Sequence, residues 1–290
     1  MGMIRTDLAL EAHELAGPAP GVESEETLRE GWPLTTVRVV NGEGARAIGK
    51  PEGVYHTLDL AALSRREENA FPRAAEALRS IVAPLLPGRE ATVLVVGLGN
   101  RAITPDAIGP RAADRALVTR HLISLAPSQF GSFRPVAALA AGVLGNTGIE
   151  SAELVRAVAD RLKPAAVIAI DALAARRVER LCATVQVCDT GISPGSVVGN
   201  YRFALDRESL GVPVLAIGVP TVVDGATLCA DLLEEAGSPV EPRALPGAAL
   251  MVTPQDIDQR VEDMAKVIAY GVTLALQPEL TLADLEALLE

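Results

Sequence analysis

The chain has 290 residues, 49% of them hydrophobic and 22% charged, with a formal net charge of −11. That composition excludes a disordered chain, and the excess of acid argues against an electrostatic grip on nucleic acid or anionic lipid. Three cysteines (Cys182, Cys188 and Cys229) are too few for a disulfide framework and lack zinc-ligand spacing, so a reducing, cytoplasmic setting is expected.

Arg5, Asp7 and Glu11 interrupt the opening residues, so no signal-peptide core is expected there. No later apolar run reaches the roughly 20 residues that a membrane-spanning helix needs. The segment to about Pro33 is polar and Glu-rich and reads as an irregular extension. Thr35 to Val40 and Val54 to Leu58 read as strands separated by a glycine-rich stretch. Over about residues 32–60 they predict a small antiparallel subassembly beside a main sheet.

Ala70 to Leu86 carries a helical period and stops at Pro87-Gly88. Thr92 to Val96 is apolar throughout, the mark of a strand buried on both faces. A helix is expected from the loop Gly97 to Asp106 as far as Leu122. Thr147-Gly148-Ile149-Glu150 resembles a capping box, opening a helix with Leu154, Val155, Val158 and Leu162 on one face. A second buried strand follows at Ala166 to Ile170, then a helix from about Ala172 and a strand at Thr184 to Val187. Val214 to Val219 predicts another strand and Val222 to Glu235 another helix. Thr253-Pro254 opens a long helix, and Thr281 caps a last one. The alternation predicts an α/β fold of three layers with a mostly parallel central sheet, built as one main domain.

Ligands and catalytic groups in such sheets collect beyond the carboxyl ends of the strands. Two strand ends carry acids there: Asp106, in the loop after Thr92 to Val96, and Asp171, directly after Ala166 to Ile170. They are 65 residues apart in the chain, yet a parallel sheet brings both to one edge. Two carboxyls in a partly dry site do not both ionise easily. The protonated one can supply a proton to a leaving amine while the charged one activates water, as peptide hydrolysis requires. Taken singly, each acid also reads as a helix-start residue: Asp106 behind Thr104 and Pro105, and Asp171 as an N-cap.

Gly97-Leu98-Gly99 after a strand resembles the start of a dinucleotide-binding loop. An acid at Asp106, where helix amides would face a pyrophosphate, opposes that reading. Asp189-Thr190-Gly191 matches the tripeptide of pepsin-like aspartic proteases, but those folds are all-β, and the run into Ser193-Pro194-Gly195-Ser196 is turn chemistry. His13, His56 and His121 are the only histidines and no nucleophile elbow exists, so a serine triad is not supported. No zinc motif is present and no cofactor is expected. Asp106, Asp171 and Asp189 acting together would suit a hard cation such as Mg²⁺ or Mn²⁺.

Several long blocks then resemble one family in the correct order: VVGLGN with TPDAIGP, AGVLGNTGIES, KPAAVIAIDALAARRVERL, DTGISPGSVVGN, GVPVLAIGVPTVVD and MVTPQDID. They resemble the spore germination protease family, as does the opening IRTDLALEAHE. The resemblance implies a fold similar to the hydrogenase maturation proteases. It implies an atypical aspartic-type endopeptidase that begins degrading small acid-soluble proteins bound to spore DNA. It further implies an inactive zymogen that trims its own N-terminus, a homotetramer, and a place in the spore core. The family's two essential aspartates fall in the TPDA and IDALAAR motifs, here Asp106 and Asp171. Asn100 and Asp189 are expected near them, at the same sheet edge.

The family's substrates are cut after the first Glu of Thr-Glu-(Ile/Phe)-Ala-Ser-Glu-Phe. Thr6-Asp7-Leu8-Ala9-Leu10-Glu11-Ala12 copies that order of acid, aliphatic residue, Ala and second acid, which predicts self-cleavage between Asp7 and Leu8. Residues 1–7 would then be a propeptide and 8–290 the protease domain. Three departures stand out: the propeptide is short, Ser238 to Leu250 is a brief connector where the family has a longer segment, and Arg101-Ala102 replaces an aromatic-containing pair before TPD.

Overall fold

Nine strands form one sheet in the computed structural model, which describes residues 6–65, 67–193, 204–237 and 250–289. In chain order they are β1 (Val22–Arg29), β2 (Trp32–Val39), β3 (Gly53–Asp59), β4 (Val93–Leu98), β5 (Val136–Gly142), β6 (Ala166–Ala175), β7 (Thr184–Cys188), β8 (Val214–Asp224) and β9 (Met251–Val252). Across the sheet the order is β1-β2-β3-β7-β8-β6-β4-β5, with β9 on β8. The strands β8, β6, β4 and β5 run parallel and form the expected central sheet. The connector at 238–249 and the turn residues Pro194 to Ser196 lie outside the described residues.

Helices cover both faces. On one face Ala70–Val82, Ile108–Asp114 and Ile257–Leu276 share a core with Val95, Ile168, Ile170 and Ile217. On the other, Val155 of Ser151–Leu162 packs with Leu94, Val96, Val167 and Ala169. Ala9 and Ala12 of the N-terminal helix Ala9–Ala16 meet Val37, Val39 and Tyr55 on that side. Every residue of β6 is buried, which explains why that strand reads as continuously apolar.

Four expectations are corrected. The polar opening segment contains β1, which pairs with β2 along its whole length while its side chains stay exposed. With neither face buried, hydrophobic alternation has no reason to appear there, and the charges on this edge strand discourage pairing with another chain. The N-terminal strands do not stand beside the main sheet, because β3 pairs with β7 and makes them its antiparallel wing. No helix begins at Ala172: β6 runs on to Ala175, paired with β8 from Ala172↔Val219 to Ala175↔Val223. The sequence Ala-Leu-Ala-Ala favours helix, and pairing on a buried sheet overrides that weak preference. Finally, Ser151–Leu162 starts after Glu150 without a side-chain cap, and the Thr147 hydroxyl accepts from Ile149 N (3.1 Å) in the turn before it.

Candidate active site

The pairing of β4 with β6 ends at Gly97↔Ile170, so Asp171 is the first β6 residue beyond β4. The chain leaving β4 turns back over this point. Gly99 sits at φ +110, where a Cβ would strike the carbonyl oxygen of Asp106. A Cβ on Gly109 would strike the carbonyls of Leu98 and Ile170, and one on Gly97 the carbonyl of Gly109. Glycine therefore lets the turn Thr104–Asp106 and the helix Ile108–Asp114 settle directly on β4 and β6. This close packing gives the Gly97-Leu98-Gly99 pattern a structural reason.

Gly109→Ala is expected to force a backbone shift and lose about 1–3 kcal/mol of stability. Gly88→Ala, where a Cβ meets nothing within 4 Å, should change stability by less than about 0.5 kcal/mol. Urea titration of the two variants beside the wild type checks the contrast.

Asp106 is half-buried, and its Oδ2 accepts from Asn100 N at 2.6 Å. Burial raises the Asp106 pKa, and the Asn100 hydrogen bond opposes the rise. Asn100 thus supports Asp106 through its main chain, while its side chain closes the turn by accepting from Ala102 N (3.0 Å). Asp171 is 8% exposed and its Oδ1 accepts from Ala172 N at 2.8 Å. Burial pushes the Asp171 pKa well above the ordinary aspartate value. The charge of Asp106 pushes it further, and so does that of Asp7, with the Ala172 hydrogen bond in opposition. Burial and the neighbouring acid thus both favour the protonated form of Asp171.

The N-terminal segment lies on the same site. Asp7 N donates to Ala174 O (2.9 Å), and Ala174 N donates to Asp7 Oδ2 (2.8 Å), along the part of β6 that extends past β4. The Asp7 carbonyl accepts from Lys50 Nζ at 2.9 Å and from Gln186 Nε2 at 3.4 Å. Leu8 is wholly buried against Leu173, Ala175, Leu181 and Val223. Glu11, also wholly buried, accepts from Arg176 N (2.7 Å) and Arg177 N (2.9 Å) and pairs with Arg180 (3.2 Å) and the Thr6 hydroxyl.

Asp189 is not at this edge. Because β7 runs antiparallel to β8, its carboxyl end lies at the opposite end of the sheet. Asp189 Oδ1 there accepts from Val54 N (2.9 Å), fastening β3 to the loop after β7. Asp106, Asp171 and Asp189 therefore do not converge on one cation. Arg101 turns outward to Asp114, with Nη2 donating to Oδ1 at 2.9 Å. Among the described residues no set of three His, Cys, Asp or Glu side chains is arranged around a metal position, and no helix is long and apolar enough to cross a membrane. Lys50 and Gln186 were not foreseen: Lys50 lies in a loop without a pattern, and the one available signal was a polar Gln186 inside the apolar strand Thr184–Cys188.

Residues 6–236 match a peptidase family model described as germination protease. The chain is 45% identical to a germination protease of Caldanaerobacter subterraneus subsp. tengcongensis, an alignment covering 99% of this chain and 98% of that one. It is 40% identical to one of Clostridium perfringens, with 99% of each covered. Against that of Priestia megaterium identity is 36%, over 95% of this chain and 94% of the relative. The chain belongs to the germination protease family. Among solved structures it is similar to a [NiFe] hydrogenase maturation protease, HycI from Thermococcus kodakarensis KOD1, with a TM-score of 0.35 and 19% identity over 66% of this chain and 98% of that one.

Proposed function

We propose that this protease is a self-processing endopeptidase that starts the breakdown of small acid-soluble, DNA-binding spore proteins at germination. The observation that carries the reading is the lodging of Asp7 beside Asp171, with its carboxylate on Ala174 N and its carbonyl on Lys50. An acid followed by a buried aliphatic residue is the order in the substrate sequence Thr-Glu-(Ile/Phe)-Ala-Ser-Glu-Phe, cut after its first Glu. On this reading residues 1–7 are a propeptide that fills the cleft of a zymogen, and 8–290 are the protease, working as a homotetramer in the spore core.

Asp106 and Asp171 act as the acid–base pair. The ionised carboxyl takes a proton from water as the water attacks the carbonyl carbon, and the protonated carboxyl gives its proton to the leaving nitrogen. Desolvation suits this division, because it keeps a proton on one carboxyl at a pH where an exposed aspartate has lost it.

The test is the intact mass and N-terminal sequence of the purified full chain after incubation at mildly acidic pH, with and without a chelator. Loss of residues 1–7, unaffected by chelator, is the expected result. A chain that stays whole would overturn self-processing. Trimming blocked by chelator and restored by Mn²⁺ or Mg²⁺ would replace the acid–base pair with a metal-dependent hydrolase using the same aspartates.

A further inference from the structure

We infer that Lys50 and Gln186 form the oxyanion site of this protease, two donors that hold the scissile carbonyl oxygen and stabilise the charge it acquires during cleavage. The inference rests on the self-cleavage reading, with the Asp7–Leu8 peptide as the resident substrate.

The geometry comes from three elements. Gly49, in the left-handed conformation at φ +66, ends the helix Gly42–Ile48 and turns the chain so that Lys50 reaches the N-terminal segment. Its Nζ donates to the Asp7 carbonyl at 2.9 Å and to the Thr6 carbonyl at 3.3 Å. Gln186 stands two strands from Asp171 in the same row: both pair with Gly218, so both side chains leave the same face of the sheet. The Gln186 Oε1 accepts from Ala9 N at 2.7 Å, which leaves Nε2 to donate to the Asp7 carbonyl at 3.4 Å. One amide thus grips the chain on both sides of the peptide to be cut.

A lysine has no structural need for a peptide carbonyl, and the desolvation of its half-buried ammonium works against its charge. Desolvation lowers the Lys50 pKa, opposed chiefly by the negative charge of Asp7. A cation kept in such surroundings gains most when its acceptor becomes an anion. When water attacks the Asp7 carbonyl carbon, a C–O bond forms and the π pair moves onto the oxygen facing Lys50 and Gln186. One carboxyl of the pair receives the water proton and the other protonates the Leu8 nitrogen. The oxyanion then re-forms the carbonyl and expels the Leu8 amine, so no oxidant, metal or further reactant is needed.

The experiment follows the trimming of full-length wild type, Lys50→Met, Lys50→Arg and Gln186→Leu by intact mass. Amide hydrogen exchange of residues 7 and 174 is read in a non-cleaving Asp106→Asn background with and without Lys50→Met. We expect Lys50→Met to slow trimming about 10²–10³-fold, Gln186→Leu to slow it about 10-fold through its longer bond, and Lys50→Arg to recover part of the rate. The exchange protection should persist. Wild-type rates in Lys50→Met and Gln186→Leu would overturn the oxyanion site while leaving self-cleavage intact. Slow trimming together with lost protection would also overturn it, since Lys50 would then only dock the segment. A wild type that stays whole would refute self-cleavage itself, and the oxyanion site with it. If thermal melts show that Lys50→Met fails to fold, the Gln186→Leu rate and the exchange of Gln186→Leu in the same background decide between these outcomes.

Discussion

Asp171→Asn should stay at full length under conditions that trim the wild type, its self-processing slowed by about 10²–10⁴-fold, the usual worth of a positioned acid or base. Asp106→Asn should behave alike, because either substitution leaves one carboxyl where the reaction needs both an acid and a base. The same carboxyl makes an opposite prediction for stability. Burial, then the charges of Asp106 and Asp7, raise the Asp171 pKa, so the folded protein holds a proton that the unfolded chain releases. That contribution is complete below the ordinary aspartate value and fades as pH rises toward the raised one. The melting temperature of Asp171→Asn relative to wild type should therefore climb as pH rises from the ordinary aspartate value toward the raised one. Trimming by the wild type should fall as pH passes the raised value, where Asp171 gives up its proton. A melting difference that ignores pH would mean that Asp171 does not carry a displaced proton.

Glu11→Ala should be the most destabilising single change in the N-terminal segment, at about 3–5 kcal/mol, because it removes a buried charge that pairs with Arg180 and leaves the buried Arg176 amide without its acceptor. Glu11 is 0% exposed and gathers the amides of Arg176 and Arg177, the Arg180 guanidinium and the Thr6 hydroxyl. Against a typical total of about 5–15 kcal/mol this is a large fraction, and thermal melting should drop by about 10 °C. Glu11→Gln keeps two acceptor lone pairs on one oxygen and should lose about half as much. The loss should be the same in the Asp106→Asn background, which separates the anchor from cleavage. A Glu11→Ala protein that melts with the wild type would show that the helix Ala9–Ala16 is held by its apolar contacts alone.

The parallel core was legible because β4 and β6 are apolar on both faces, a pattern that few other environments produce. The placement of Asp106 near Asp171 was legible for a related reason: they are the acids that interrupt or follow such runs, and parallel strands bring them to one edge. Topology, by contrast, misled for Asp189. Its strand also ends in an acid, but nothing in Thr184–Cys188 distinguishes a parallel from an antiparallel neighbour, and β7 proved to run the other way. The strand β1 was invisible because its side chains face solvent and its order lies in main-chain hydrogen bonds. The length of β6 was hidden by alanines, whose local preference for helix yields to the pairing with β8. Lys50 and Gln186 were hidden because a donor aimed at a main-chain carbonyl leaves no spacing rule in the sequence.

The joining of β3 to β7 fixes when, as well as where, the N-terminal segment is held. The wing of β1, β2 and β3 leaves the ribosome early, but its partner residues Thr184 to Cys188 follow more than a hundred residues later. Ala174 and Gln186, which grip Asp7, arrive in the same late stretch. Such distant pairings form slowly and only after the intervening chain exists. A nascent chain therefore carries Asp7 and Leu8 through most of its synthesis with no pocket to receive them. The segment meets β6 and β7 only in a molecule whose sheet is fully assembled, which makes completion of the fold a clock for any cut at that peptide.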